Sequence, residues 1–167
     1  FQSFMMACRR RGATAALLDM AAWVERGVAP LPSTRYSRDA MNQIVLPDSA
    51  AARGGLQPVV DLTANGVARA EVAVTQPVTL SARIVMPPHA GRVVRYAWYL
   101  GTPDLEFEPS LSLAKPKRTI RVKRTVRFAE PGDYAITLRV EGQRDGRNDV
   151  NGTTFLQNVG RVRVVVR

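Results

Sequence analysis

Three carboxylates, Asp104, Glu106 and Glu108, alternate with Leu105 and Phe107 in the irregular stretch 101–118. Carboxylates that flank a cleft do general acid and base work. Alternation along an extended segment sends all three to one side, which is expected to face water. His89 sits in Pro87-Pro88-His89-Ala90-Gly91, the composition of a turn. A catalytic histidine needs a partner within hydrogen-bond reach, and no serine or cysteine stands in a nucleophile context near it. Cys8 is the single cysteine and His89 the single histidine, which excludes an intrachain disulfide and a zinc site of the usual kind within one chain. Asp145, Asn148 and Asp149 suggest calcium, but their spacing does not match a calcium loop, and Arg144 and Arg147 compete for the carboxylates. Asn151-Gly152-Thr153 is a glycosylation sequon, meaningful only in a eukaryotic secretory setting. No catalytic residue, metal or cofactor is therefore nominated.

Charge is more informative. The chain has 24 Lys and Arg against 14 Asp and Glu, a net charge of +10, and its densest basic stretch runs from Lys115 to Arg127 with seven basic residues and no acid. Lys115, Lys117, Arg118, Arg121, Lys123 and Arg127 are the candidate binding residues for an anionic partner. Nucleic acid is disfavoured, because a basic groove for single strands usually interleaves stacking aromatics and this stretch has none. The competing reading is a solvated strand edge whose charges prevent strand-to-strand aggregation.

The elements that carry these residues read as strands. In Val126 to Val140, Glu130-Pro131-Gly132-Asp133 is a turn, with proline presetting one φ and glycine permitting the next. Beyond it Tyr134, Ile136, Leu138 and Val140 alternate with Ala135, Thr137 and Arg139, a half-buried antiparallel strand. In Val93 to Leu100, period-two spacing gathers Val94, Tyr96, Trp98 and Leu100 on one face. Trp98, Phe128, Tyr134, Ile136 and Leu138 are the expected core. Val59, Val60 and Leu62 form a first strand, Asn65-Gly66 marks a turn, Ala70, Val72 and Val74 form a short edge strand, and Val78 to Val85 alternates cleanly. Ile120, Val122, Val126 and Phe128 share a face that Arg124 breaks, so a bulge, a break or a partly open edge is expected there. Glu141 to Gly152 reads as a polar loop, and the last strand turns Val162, Val164 and Val166 inward with Arg161, Arg163 and Arg167 outward.

Upstream, Ala13, Leu17, Met20, Ala21 and Val24 fall on one helical face, and Gly27 and Pro30 stop the helix. Such a face needs a partner surface. Arg9, Arg10 and Arg11 precede it, but Asp19 and Glu25 interrupt the apolar run and argue against a signal peptide. Phe1-Gln2-Ser3 resembles the end of an engineered protease-cleavage site. Pro30 to Leu56 reads as a linker that packs locally through Tyr36 and the run Ile44, Val45, Leu46. No apolar run approaches the roughly 20 residues that span a bilayer.

Two resemblances follow from these motifs. "VVRYAWYLG" with "RTVRFAEPGDYAITLRV" resembles the PKD family of Ig-like β-sandwich domains over 57–167, in which a tryptophan strand is paired with a later proline-glycine corner and tyrosine strand. Tyr134 is placed like the tyrosine that pins the corner of such sandwiches through its hydroxyl. The acidic, glycine-rich continuation frequent after the family's tryptophan is replaced here by Tyr99, Leu100 and Gly101. Any acid-dependent surface of the family is thereby put in question. The second, "ALLDMAAWVERGVAPLPSTRY", resembles the closing helix of tannase and feruloyl-esterase-like α/β-hydrolases over 13–36. Such an enzyme needs a G-x-S-x-G elbow, an acid and a histidine in that order, and no elbow is present in this sequence.

The expectation is a mainly β chain: an Ig-like, PKD-like antiparallel sandwich at 57–167, preceded by a helical segment at 4–29 and a linker at 30–56. The resemblances imply a non-catalytic accessory module for surface contact, adhesion or spacing, associated with an exported hydrolase and facing a protein or polysaccharide surface, outside the cytoplasm. Alternatives are the C-terminal portion of an esterase whose catalytic residues lie upstream, and a basic anion-binding module. The oligomeric state stays open, since Val162 to Val166 or the edge near Ala70 offers strand pairing and the helix offers a swap.

Overall fold

The computed structural model describes residues 16–101, 106–147 and 155–167. Helix α1 covers the described residues 16–26. There follow β1 (Ser37–Arg38), β2 (Ile44–Val45), a short α2 (Ala50–Arg53), and eight longer strands: β3 (Val59–Ala64), β4 (Arg69–Val72), β5 (Val78–Val85), β6 (Arg92–Tyr99), β7 (Leu111–Lys117), β8 (Thr119–Val126), β9 (Gly132–Gln143) and β10 (Leu156–Val166). Two sheets form the sandwich, one of five strands ordered β4-β10-β9-β6-β7 and one of three ordered β3-β5-β8. The mainly β, Ig-like architecture expected from the alternation is the one observed. Asp104, Cys8, Ala13, Asn148, Asp149 and the sequon lie outside the described residues.

The core follows the period-two logic. Val78, Leu80, Ala82 and Ile84 of β5 are buried, and they meet Ile136, Leu138 and Val140 of β9 and Val162, Val164 and Val166 of β10. Trp98 is 3% exposed and Phe128 7%, and Tyr134 packs half-buried against the same cluster. The Tyr134 hydroxyl donates to the Glu130 carbonyl oxygen at 2.9 Å, which ties the corner shut, and its ring lies 4.2 Å from that of Phe128.

Two strand-level expectations need correction. The tryptophan strand is out of phase at its start: pairing of β6 with β9 slips between Val93 and Arg95, so Val93 enters the core while the equally buried Val94 lies outside that cluster. A bulge adds a residue to one strand and flips the sidedness of what precedes it. The expected polar loop from Glu141 begins later. β9 continues through Gln143, and Glu141 and Gln143 are buried at 3% and 5% exposure. Of the three alternatives at Arg124 the partly open edge is the one observed: β8 pairs with β5 in unbroken register from Thr119 to Val126 and has no strand on its other side among the described residues.

The edge strand near Ala70 is real but belongs to the opposite sheet from β3. After the turn at Asn65 (φ 50°) and Gly66 (φ 85°), the chain crosses over and β4 pairs parallel to β10, Ala70 opposite Val164. Asn65 anchors the crossing: its N–H donates to the Thr79 carbonyl oxygen at 2.8 Å and its side-chain oxygen accepts from the Thr79 N–H at 2.9 Å.

The region before the sandwich packs less than its composition suggests. Tyr36, Ile44, Val45 and Leu46 are all exposed, and the two-residue strands β1 and β2 pair only with each other. α1 keeps Leu17, Met20 and Val24 exposed at 65%, 59% and 83%. It meets the sandwich through Asp19, which accepts two hydrogen bonds from Arg144, at 2.6 and 2.9 Å.

Candidate functional site

The acids singled out in the sequence separate in the structure. Glu106 is exposed, whereas Glu108 is drawn into a two-point bridge with Arg124, one arm of which (Arg124 Nη2 to Glu108 Oε1) measures 2.8 Å. The expectation that Glu108 faces water is thus corrected: an arginine on the inward side of β8 supplies a partner that the local pattern could not show. The bridge spans the open side of the sandwich from the three-stranded sheet to the segment after β6. His89 is exposed, with φ 63° in its turn, and no cluster of metal-ligating side chains exists among the described residues.

A polar group that sequence reading missed lies on the outer face of the five-stranded sheet. Arg95, Glu141 and Gln157 stand side by side on β6, β9 and β10. Arg95 Nε donates to Glu141, Gln157 Nε2 donates to Glu141 Oε1 at 2.6 Å, and Arg139 Nε lies 3.7 Å from the same oxygen. Aromatic rings roof the group. Phe155 lies 4.2 Å from the Arg95 guanidinium carbon and Phe107 lies 4.6 Å from that of Arg139. Cations over ring faces gain when water is excluded, so two loop aromatics seal the charges. The one available signal is the alternation of Arg139 and Glu141 along β9.

The basic residues divide by place. Lys115, Lys117 and Arg121 line a cleft of about 560 Å³ between β7 and β8, over an apolar floor of Tyr96, Leu113, Ile120 and Val122. Arg121 and Lys123 continue onto the outer face of the three-stranded sheet, where Arg121 is in register with Arg83 and Arg83 with Asp61. Arg118 is the one residue between the two strands, and its carbonyl oxygen accepts from the Met86 N–H at 2.8 Å. Arg127 is turned away, its Nη1 donating to the Thr75 carbonyl oxygen at 2.9 Å. Arg83 therefore joins the patch, while Arg127 leaves it.

Some charges outside the patch are paired, Asp133 and Asp19 among them. Asp133 takes two hydrogen bonds from Arg163, which hold its carboxyl below the usual value of 3.8, and the same contact raises Arg163. Asp19 raises Arg144 in the same way. Lys115, Lys117, Arg121, Lys123 and Arg83 form no ion pair among the described residues.

Among known proteins, the PKD domain matches residues 61–155. No curated protein matches the chain. Solved structures also match, among them two forms of one protein at low identity. One is a superoxide reductase (neelaredoxin) from Ignicoccus hospitalis, 12% identical, with TM-score 0.37, covering 65% of this chain and 80% of that one. The other is a point variant of the same reductase, 13% identical, with TM-score 0.36, covering 66% and 80%.

Proposed function

The chain belongs to the PKD domain family, whose members are generally non-catalytic modules of interaction and adhesion, and from that premise we propose that it is an accessory module carried by an exported hydrolase. Its role is contact and spacing against a protein or polysaccharide surface, and the chemistry resides in another domain. The observation that carries this reading is the orientation of α1. The helix is held to the sandwich on its Asp19 side, and Leu17, Met20, Trp23 and Val24 are left exposed. An apolar helix face of that size is stabilised by covering it, and the esterase-like wording of 13–36 names a hydrolase domain as the cover.

The two tryptophans make the test direct, since Trp23 is 57% exposed and Trp98 3%. In this chain alone, acrylamide quenches Trp23, and simple aryl esters are not hydrolysed above the buffer rate. In the full-length gene product Trp23 becomes shielded and ester hydrolysis appears. Quenching of Trp23 that is identical in both, or ester turnover by this chain alone, overturns the reading.

A further inference from the structure

We propose that the cleft between β7 and β8 is a docking site for an extended acidic peptide segment, which adds to the free edge of β8 as a fourth strand. This inference is independent of what α1 docks on.

Four observations converge there. β8 pairs with β5 on one side and with no strand on the other among the described residues, so a row of its N–H and C=O groups lacks strand partners. β7 and β8 are joined by Arg118 alone yet belong to different sheets, and they diverge to leave the cleft open between them. The floor of that cleft is apolar (Tyr96, Leu113, Ile120, Val122), while Lys115, Lys117 and Arg121 rim it and Lys123 follows on the outer face. The fourth is chemical: β7 carries Pro116, which cannot donate to a ladder, whereas β8 has no proline. An added strand is therefore directed to β8.

Strand addition draws affinity from main-chain hydrogen bonds and specificity from alternate side chains. Alternate residues of the incoming segment would meet the apolar floor and the basic rim, so the fitting sequence alternates apolar with Asp or Glu. The same charges explain why a second copy of this chain is not the occupant. Pairing β8 with another β8 brings Arg121 and Lys123 against like charges, which costs stability in directly opposed positions. Nucleic acid would use a series of stacking aromatics, and the cleft offers Tyr96 alone, on its floor, with none among the basic residues. The Arg124 and Glu108 bridge pairs the acid that lies beside β8 on its inward side, while Asp61 shares the outer face with Arg83, Arg121 and Lys123.

The test uses this chain with an octapeptide of alternating Glu and Val, a Lys and Val octapeptide, polyglutamate and alginate as an acidic polysaccharide. The Glu and Val peptide binds, its affinity falls as salt rises, and amide exchange slows at residues within 119–126 that exchange freely without it. The exposed double variant Arg121→Glu, Lys123→Glu binds it about tenfold more weakly, as expected for the loss of two exposed charge pairs. The same variant gains affinity for the Lys and Val peptide, a reversal that a folding defect cannot produce. The proposal is overturned if polyglutamate or alginate binds as well as the alternating peptide, if exchange in 119–126 is unchanged on binding, if no peptide binds, or if the chain dimerises through β8.

Discussion

The Arg95 guanidinium lies over the Phe155 ring and donates to a Glu141 carboxylate that is 4% exposed. One carboxylate thus serves Arg95, Arg139 and Gln157 on the outer face of a sheet whose other face is the core. Removing one member of a desolvated pair leaves the others buried without compensation, a larger loss than that of the pair itself. Glu141→Ala is expected to cost about 3 kcal/mol in urea unfolding, and Arg95→Met combined with Glu141→Leu to recover the share due to Arg95, while Arg139 and Gln157 still lack their acceptor. A double variant no better than the single would refute this account of the group.

Tyr134→Phe removes the hydrogen bond to the Glu130 carbonyl and keeps the ring against Phe128. The expected loss is about 1 kcal/mol, with the denaturant slope unchanged. A loss near zero would mean that the ring, and not the hydroxyl, secures the corner.

Two glycines separate close packing that can yield from close packing that cannot. A Cβ at Gly160 would lie 2.5 Å from Val60 Cγ1 and 3.2 Å from Leu62 Cβ, on stiff side chains of β3. A Cβ at Gly142 would lie 2.6 Å from the flexible end of Met86. Gly160→Ala is expected to destabilise by about 2 kcal/mol and Gly142→Ala by clearly less, as read from urea midpoints.

Acid sensitivity has a local source at Asp133. Its carboxyl is held low by the hydrogen bonds from Arg163, so the stabilisation is present above the unfolded-state carboxylate value and is lost as pH falls through the lower folded value. Asp133→Asn should reduce the drop in melting temperature on acidification. Salt should shrink the difference between the two proteins, because both side chains are about half exposed.

The features of the fold that read directly from the sequence are those set by neighbours in the chain. The corner at Pro131-Gly132, the alternation of β5, and the burial of Trp98 and Phe128 depend on turn chemistry and period two alone. Val94 reads onto the wrong face because a bulge shifts the count by one, and nothing in the residue types at 93–95 announces it. The parallel partnership of β4 with β10 joins residues nearly a hundred positions apart, and Asn65-Gly66 marks a reversal without saying into which sheet. The basic stretch is visible as a run, but only the splay of β7 from β8 shows which of its members share a cleft. The register of β5 with β8 brings Arg83 alongside, and Glu108, from beyond β6, claims Arg124. Glu141 reads as loop because a buried carboxylate is unusual, and its partners Arg95 and Gln157 come from other strands.

The crossing that lays β4 parallel to β10 also governs how the domain answers a pull. Tension that drags Arg69 one way along the chain and Val166 the other slides the two strands past each other, so all four paired positions resist at once. An antiparallel pair gripped at its open ends would instead unzip, each rung giving way before the next is loaded. The join between these two strands is therefore loaded as one set, a clamp that keeps its length until all four positions fail together.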